Sequence, residues 1–301
     1  MHFYRWIIPT KEVYVVAVLD DFRMMTIHAH PDDESSKGAG SVALYSDAGV
    51  SATLVCCTGG EEGDILNPAM DSYEVRHNLA KVRQEELSKA ADIIGYERIH
   101  YLGYRDSGMP DTDANENPDC FANAPLEEAV GRLVKIIRQE QPHVIVTYPD
   151  DQQGYQHPDH LRVFDISLPA WEAAGDPSRF PELGEAWTPL KLYYTTWSRA
   201  RIEALHEMFL KLNLESPFNE AWFDRPSQDH RITTKIDVSK FSQRRTDALL
   251  AHATQVDPDS PFWFGLPSDK SAEAYPWDDY ILAFNRVGPI ENESDLFQGI
   301  I

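Results

Sequence analysis

Short apolar runs alternate with longer amphipathic stretches along most of the chain. The runs are rich in Val, Ile and Thr and predict strands at about 24–29, 52–58, 98–102, 143–148 and 191–197. The amphipathic stretches predict helices at about 33–48, 72–94, 125–140, 158–174 and 199–213. This alternating order predicts an α/β fold, Rossmann-like, with a mostly parallel sheet and helices on both faces.

The two ends of the chain differ from this pattern. After residue 214 the alternation weakens to a strand near 231–238 and a helix near 240–254, so we interpret 214–301 as a C-terminal cap. No repeat or interdomain linker interrupts the rest, and we therefore expect one domain over 24–301. The segment 1–23 precedes the first strong strand, and we treat it as an N-terminal extension or a start-site artefact.

Composition narrows the classes of partner. The chain has 301 residues, of which 42% are hydrophobic, and this is enough for a large core. Its formal charge of −22 gives no basic face for nucleic acid and no attraction to anionic membrane surfaces. The N-terminal apolar patches are broken by Pro9, Lys11 and Glu12, so they predict neither a signal peptide nor a membrane span.

Three cysteines, Cys56, Cys57 and Cys120, are too few for a paired framework. We interpret them as reduced core thiols, which fits a cytoplasmic protein.

The strongest chemical signal is the segment His28-Ala29-His30-Pro31-Asp32-Asp33-Glu34, where the first predicted strand ends and the first helix begins. In an open parallel sheet this edge is the ligand crevice. Imidazole and carboxylate groups this close together can point several ligand atoms at one cation, and a helix N-terminus tolerates the carboxylates.

A second segment, Tyr155-Gln156-His157-Pro158-Asp159-His160, follows the strand that ends in VIVTYP and repeats the His-Pro-Asp order. If both strands lie near the switch point of the sheet, the two loops converge. Catalytic zinc takes three His, Asp or Glu ligands and leaves a fourth position for water, so the remaining candidates are available as base or acid. Either motif alone could be a helix-capping turn, but two echoing motifs favour one shared site.

With these motifs the chain resembles the LmbE/PIG-L-like zinc N-deacetylase family, whose fingerprint is Ala-His-Pro-Asp-Asp-Glu followed later by His-Pro-Asp-His. The segments HAHPDDESSKGA, TGGEEGDILNPAMD, DSGMP, KLYY and AHATQVDP are most similar to the branch that cleaves mycothiol S-conjugates. One departure is Gln156, which stands where the family often has proline. The resemblance runs from about Met24 to the C-terminus.

The resemblance implies a role for each matching position. His30, Asp33 and His160 would hold one Zn²⁺ per chain, although Fe²⁺ could also occupy such a site. Asp32 would be the general base. His157 would stabilise the oxyanion and protonate the leaving amine, with Asp159 tuning it. Tyr155 could donate a hydrogen bond to the substrate carbonyl.

Five further residues match the family as substrate contacts, each with a plainer alternative. Arg83, in an Arg-x-x-Glu pattern, resembles a sugar or inositol contact, or forms a surface ion pair. Asp106 and Ser107 resemble pocket residues, or form a turn. Lys37, four residues after Asp33, can face the same site and select the larger thiol conjugate, or is a solvated lysine. His252 could line the pocket or be structural. We expect His28 to be a core residue or to support the ligands.

The implied function is hydrolysis of the amide in a small-molecule thiol conjugate, which releases a mercapturic acid and glucosaminyl-inositol during detoxification of electrophiles. The nearest alternative is deacetylation of N-acetylglucosaminyl-inositol, against which Lys37 and the loop ILNPAMD favour the amidase. A non-catalytic Rossmann-like sugar- or nucleotide-binding module is a third possibility. Such a module would need a Gly-rich turn after the first strand, where this chain has HPDDE.

Overall fold

The structure, a computed structural model, describes residues 21–152 and 154–300. Residues 1–20 of the expected N-terminal extension therefore lie outside it. The strands are β1 (Arg23–His28), β2 (Ser51–Thr58), β3 (Arg98–Tyr104), β4 (Val144–Thr147), β5 (Lys191–Thr196), β6 (Thr234–Asp237) and β7 (Trp277–Asn285). The helices are α1 (Asp33–Ser36), α2 (Ala39–Asp47), α3 (Tyr73–His77), α4 (Leu79–Ile94), α5 (Leu126–Glu140), α6 (Pro158–Ala174), α7 (Arg199–Lys211), α8 (Glu220–Phe223), α9 (Ser242–Ala251), α10 (Pro261–Phe264) and α11 (Ser268–Ala274).

The described strands form one sheet in the order β3-β2-β1-β4-β5-β7-β6. β1 pairs in parallel with β2 on one side and with β4 on the other. The chain therefore changes direction across the sheet between β1 and β4, and in this class of fold a crevice opens at the carboxyl ends of such a pair. Both sequence motifs follow these two strands, so the predicted convergence is confirmed.

Alternating side chains of β1 supply two separate cores. Met25 and Ile27 pack into the core that includes Leu133 of α5 and Val163 of α6. Met24 faces the other core, with Leu87 of α4. A strand of period two that buries both faces requires a helical layer on each side. The predicted α/β class with helices on both faces is confirmed.

Two predicted helices are each divided in the structure. The helix predicted at 33–48 becomes α1 and α2, separated by Lys37 and Gly38. Gly38 has φ 84°, and a Cβ there would lie 2.9 Å from the hydroxyl oxygen of Tyr280, so glycine is needed for both reasons. The helix predicted at 72–94 becomes α3 and α4, with the break at Asn78.

The C-terminal portion contributes more to the sheet than the cap interpretation expected. β7 pairs antiparallel with β5 and with β6, and so continues the central sheet. The sequence WDDYILAFN did not predict a strand because two aspartates interrupt its apolar pattern. Both are buried: Asp278 accepts from Ser41, and Asp279 accepts from Ser198.

Among the residues that the structure describes, no helix combines the length and the apolar character needed to cross a bilayer.

Candidate metal centre and active site

The turn after β1 positions the first two candidate ligands. Asp33 is the first residue of α1, and its Oδ2 accepts from the backbone N–H of His30 at 3.0 Å. This bond draws the carboxylate back over the turn, and Oδ2 then lies 3.4 Å from Nδ1 of His30. Local backbone geometry therefore brings an imidazole and a carboxylate to the same point above the sheet.

The start of α6 provides the third ligand. His157 is the N-cap of this helix and Pro158 follows at a position that suits proline. His160 lies in the first turn, and its Nε2 is 3.3 Å from Oδ2 of Asp33. The two motifs, separated by more than a hundred residues of sequence, meet at one carboxylate oxygen.

One ligand atom from each of His30, Asp33 and His160 lies within 4.8 Å of the other two. Burial lowers the pKa of His160 to about 4, although the nearby Asp33 carboxylate opposes this shift. This imidazole is therefore neutral and can ligate a metal ion. Two imidazoles and one carboxylate are the donor set of a catalytic zinc or non-haem iron site. The residues present therefore fit the predicted cation.

Asp32 adopts an unusual backbone conformation beside the ligands, with φ 113° and ψ −26°. Two contacts hold it there: its N–H donates to Glu34 Oε2 at 2.9 Å, and its Oδ2 accepts from Arg83 at 3.1 Å. Burial raises the pKa of Asp32, whereas the Arg83 guanidinium opposes that shift. A carboxylate with a raised pKa is a better proton acceptor from water than an ordinary aspartate.

Hydrogen bonding indicates which nitrogen of His157 carries its proton. Nδ1 accepts from the backbone N–H of Asp159 at 3.2 Å, so the neutral ring carries hydrogen on Nε2 and can donate it. Burial and the neighbouring His30 lower the pKa of His157, while the charge of Asp159 opposes them. The ring centroid lies 4.5 Å from that of His30, close to the candidate metal centre.

The Asp159 carboxylate contacts a different histidine from the one expected. Its oxygens accept from the backbone and hydroxyl of Ser107, and Oδ2 lies 3.1 Å from Nε2 of His30. Because Nδ1 of His30 faces Asp33, the Asp159 contact fixes the orientation of this ring. The electrostatic effect on His157 remains, but the hydrogen bonds of Asp159 support a candidate ligand.

A second group that could hold a cation overlaps the first and consists of His30, Asp106, His157 and Asp159. Asp106 Oδ1 accepts from the Gly108 N–H at 2.8 Å and lies 3.6 Å from Nε2 of His30. Burial of His30 disfavours its charged form, but the surrounding carboxylates outweigh this effect and raise its pKa well above the usual range. Asp106 also lines the cleft, so its predicted pocket position is compatible with the structure.

Lys37 and Tyr155 border the same centre. Lys37 Nζ lies 2.5 Å from Oδ1 of Asp33, although Lys37 follows α1 rather than continuing it. The Tyr155 ring centroid is 5.1 Å from that of His160, and its side chain is 55% exposed at the cleft. Both are therefore within reach of a substrate that approaches the candidate ligands.

Two predicted substrate contacts are fully buried and already paired. Ser107 is 0% exposed and donates to Asp159. His252 is also 0% exposed, and its Nε2 pairs with Glu34 Oε1 at 2.7 Å. The expectation that these two side chains touch substrate is corrected: they support the residues behind the site.

Arg83 is neither a surface ion pair nor a freely available sugar contact. It is 3% exposed and donates to the carbonyl oxygens of Pro31 and Gly60 as well as to Asp32. Glu86, its partner in the sequence pattern, instead accepts from the N–H and hydroxyl of Thr254. Arg83 supports the Asp32 turn and also lines the cleft, so its predicted substrate role stays a prediction.

The sequence analysis missed two supporting residues. The Tyr148 hydroxyl accepts a hydrogen bond from the backbone N–H of Ala29 at 3.1 Å. The Glu34 carboxylate accepts from the backbone N–H of Asp32 and forms a hydrogen bond with Nε2 of His252. Glu34 lies inside the first motif and Tyr148 directly follows β4, but their contacts depend on side-chain direction, which the sequence does not show.

The cleft above these residues has a volume of about 810 Å³. One part is polar and includes His30, Asp33 and His160. Another part is aromatic and includes Trp197 and Trp263. A cavity of this size accommodates a ligand much larger than an acetyl group.

Comparisons with known proteins agree with this geometry. The family profile PIG-L, GlcNAc-PI de-N-acetylase, matches residues 25–171. The chain is 43% identical over 93% of its length to the mycothiol S-conjugate amidase of Streptomyces coelicolor and covers 98% of that protein. It is 36% identical over 92% of its length to a 1D-myo-inositol 2-acetamido-2-deoxy-alpha-D-glucopyranoside deacetylase of Geodermatophilus obscurus and covers 98% of it.

The fold also matches a solved structure. The N,N'-diacetylchitobiose deacetylase of Pyrococcus horikoshii superposes with a TM-score of 0.58 at 18% identity, covering 86% of this chain and 83% of the other. Together these relatives indicate a hydrolase of amide bonds rather than a non-catalytic binding module. Because the match extends over most of the chain and both motifs are present, the chain belongs to the PIG-L/LmbE family of deacetylases and amidases.

Proposed function

We propose that this protein hydrolyses mycothiol S-conjugates at the amide between the N-acylcysteine S-conjugate and glucosaminyl-inositol. The observation that carries the proposal is the meeting of His30, Asp33 and His160 at the floor of a large cleft, beside Asp32 and His157. The amidase at 43% identity supports this substrate over that of the deacetylase at 36%.

The proposed centre holds one zinc ion per chain through His30, Asp33 and His160, a set that ferrous iron also fits. When bound, the cation polarises the amide carbonyl and makes water easier to deprotonate. Asp32 accepts the proton of the attacking water, and Arg83 holds its carboxylate in place. His157 donates the Nε2 proton to the departing amine.

The proposed hydrolysis needs no reactant other than the substrate and water. Water oxygen forms a bond to the amide carbon, and the carbon–nitrogen bond breaks. One water proton passes to Asp32, and His157 gives its Nε2 proton to the amine while it regains the proton that Asp32 took, so both side chains return to their starting states and the products are a mercapturic acid and glucosaminyl-inositol. Tyr155, at the cleft beside His160, orients the carbonyl in this scheme.

Lys37 is the proposed selector for the larger conjugate. Its ammonium lies against Asp33 and also lines the cleft, so it can contact a substrate group next to the scissile amide. Cys56, Cys57 and Cys120 are all buried free thiols, which supports the proposed cytoplasmic setting.

A two-substrate assay tests the proposal. Protein repleted with zinc is given the bimane conjugate of mycothiol and, separately, N-acetylglucosaminyl-inositol, and metal content is measured by elemental analysis. We expect a higher kcat/KM for the conjugate and the loss of both activities in Asp32→Asn. A clear preference for the acetamide would instead make the protein a deacetylase, which is the second candidate because the same catalytic groups would serve it.

A further inference from the structure

An aromatic surface lies in the cleft beyond the catalytic groups, and the proposed reaction does not use it. Trp197 follows β5, Trp222 lies on α8, and Phe262 and Trp263 lie on α10. All four line the same cleft as His30 and Asp33, and each is half-buried. We call these four side chains the aromatic wall.

The rings of the aromatic wall are arranged in continuous stacking contact. Phe262 stacks on Trp197 with centroids 5.7 Å apart and planes at 7°, and on Trp222 at 5.4 Å and 26°. Trp263 meets Phe262 edge-on at 4.6 Å and 82°. Offset stacks and edge contacts are the geometries in which aromatic rings attract one another, so a further flat ring can join the array.

The aromatic wall begins next to the candidate metal centre. Trp197 Nε1 donates to the backbone oxygen of Ser36 at 3.3 Å, and Ser36 belongs to the same short helix as Asp33. Lys37 Nζ then lies 3.3 Å from the Ser36 hydroxyl and 2.5 Å from Asp33. A substrate whose amide reaches Asp33 can therefore extend directly along the wall.

Contacts behind the rings hold them in position. The Arg201 guanidinium lies 4.8 Å from the Trp197 ring centroid, and that of Arg245 lies 5.6 Å from Trp263. Both arginines line a small separate cavity of about 60 Å³. Phe262 and Trp222 pack on the cluster that contains Phe218 and Leu266. The surface is thus formed before any ligand binds, which reduces the entropy cost of binding.

We propose that the aromatic wall binds an apolar, flat substituent carried on the sulfur of the conjugate, while the polar part of the cleft holds the amide. This inference rests on the proposed function. Ile202, Leu249 and Val256 also line this cleft, and all three are buried apolar residues. Neither an acetyl group nor an inositol ring would remove this much aromatic surface from water.

The test compares kcat/KM for the S-benzyl and S-methyl conjugates of mycothiol on the zinc-loaded protein. We expect the wild type to prefer S-benzyl by roughly tenfold or more, since burying a ring against apolar surface is a large transfer effect. Trp263→Ala and Trp222→Ala should reduce this ratio to within about threefold of unity, chiefly by raising KM for S-benzyl. Using the ratio removes the effect of any loss of folded protein.

Phe223→Ala is the matched control. Phe223 is half-buried on the same short helix as Trp222, but its ring packs edge-on against His206 at 5.2 Å. Its substitution should leave the S-benzyl to S-methyl ratio at the wild-type value. An equal fall of the ratio in this control would show that the selectivity does not reside in the wall, and the inference would be overturned.

The remaining outcomes separate the inference from the proposed function. Wild-type hydrolysis of both conjugates with equal kcat/KM, or a ratio unchanged in the two tryptophan variants, would overturn the aromatic wall as a subsite and leave the amidase proposal standing. Hydrolysis of N-acetylglucosaminyl-inositol but of neither conjugate would overturn the amidase proposal itself.

Discussion

The two parts of the cleft are built in opposite ways. In the polar part, His30, Asp33 and His160 are at most 8% exposed, and hydrogen bonds and ion contacts fix their side chains. In the aromatic wall, Trp197 and Trp263 are only half-buried and make edge-on and cation–π contacts. One part offers charges and protons, and the other offers apolar area.

Because of this difference, the rate of amide cleavage and the selectivity for the substrate can vary independently. A change in the polar part should affect every amide that the enzyme cleaves, because the same groups act on each scissile bond. A change in the wall should affect only substrates that extend onto it.

Substitution His160→Ala should have the largest effect. It removes one of three candidate ligands, and Nε2 of this ring lies 3.3 Å from Asp33. We expect the zinc content to fall and amide hydrolysis to decrease roughly a thousandfold or more, because metal polarisation contributes several kcal/mol. Elemental analysis and the rate on both conjugates provide the measurement.

The control for this variant is His77→Ala, because His77 is an exposed histidine at the end of α3. It should retain metal and activity. If His160→Ala kept a full equivalent of zinc, the assignment of His160 as a ligand would be wrong.

Substitution Arg83→Met should destabilise the fold by roughly 3 kcal/mol, since it leaves buried carbonyl groups of Pro31 and Gly60 without their donor. Asp32 also loses the partner of its carboxylate, so activity on all amides should fall. The free energy of unfolding in urea measures the first effect. Arg76→Met, which removes an exposed pair with Asp71, is the control and should leave stability unchanged.

The part of the fold that sequence predicted follows from local periodicity. β1 and β4 are short segments that contain runs of apolar residues, and the motifs after them could be placed at one sheet edge because parallel strands share their carboxyl side. β7 was missed because its pattern contains Asp278 and Asp279, whose burial depends on partners as distant as Ser41. Long-range polar partners leave no mark in local periodicity.

The candidate site divides in the same way. His30, Asp33 and His160 meet because sheet topology brings two motifs together. Sequence neighbours do not show where a side chain points, so Asp159 was associated with His157 although its hydrogen bonds reach Ser107 and His30. The aromatic wall was not predicted at all, because its members come from three separate segments and carry no shared motif.

Substitution Asp159→Asn distinguishes the two roles of this residue. If its main role is to orient His30, zinc affinity should fall by roughly 10-fold to 100-fold, as is usual when the partner of a metal-bound histidine is removed. Competition with a chelator measures this affinity. An unchanged affinity together with a slower reaction would instead favour the effect on His157 and contradict the orienting role.

Ser107→Ala provides a milder version of the same test. It removes the hydroxyl donor to Asp159 but leaves the backbone donor of residue 107, which lies 3.0 Å from Oδ2. Zinc affinity should therefore decrease in the same direction as in Asp159→Asn, and by less. A larger decrease than in Asp159→Asn would show that Ser107 acts by another route.

The smallest effect is expected from Lys37→Met, because Lys37 lies between the polar part of the cleft and the aromatic wall. Lys37 Nζ contacts Asp33 and lies next to Ser36, where the aromatic wall begins. Removing a cation from beside a ligand carboxylate favours a bound metal ion, so zinc affinity should rise by roughly threefold to tenfold; solvent limits the gain because the lysine side chain is 25% exposed.

Lys37→Arg, which keeps the charge, is the control and should show a smaller gain in zinc affinity. The same pair of variants tests selectivity. If Lys37 also selects the larger conjugate, its preference over N-acetylglucosaminyl-inositol should decrease in Lys37→Met and persist in Lys37→Arg. A gain in zinc affinity with unchanged preference would assign Lys37 to the electrostatics of the polar part alone, and selection would then depend on the aromatic wall.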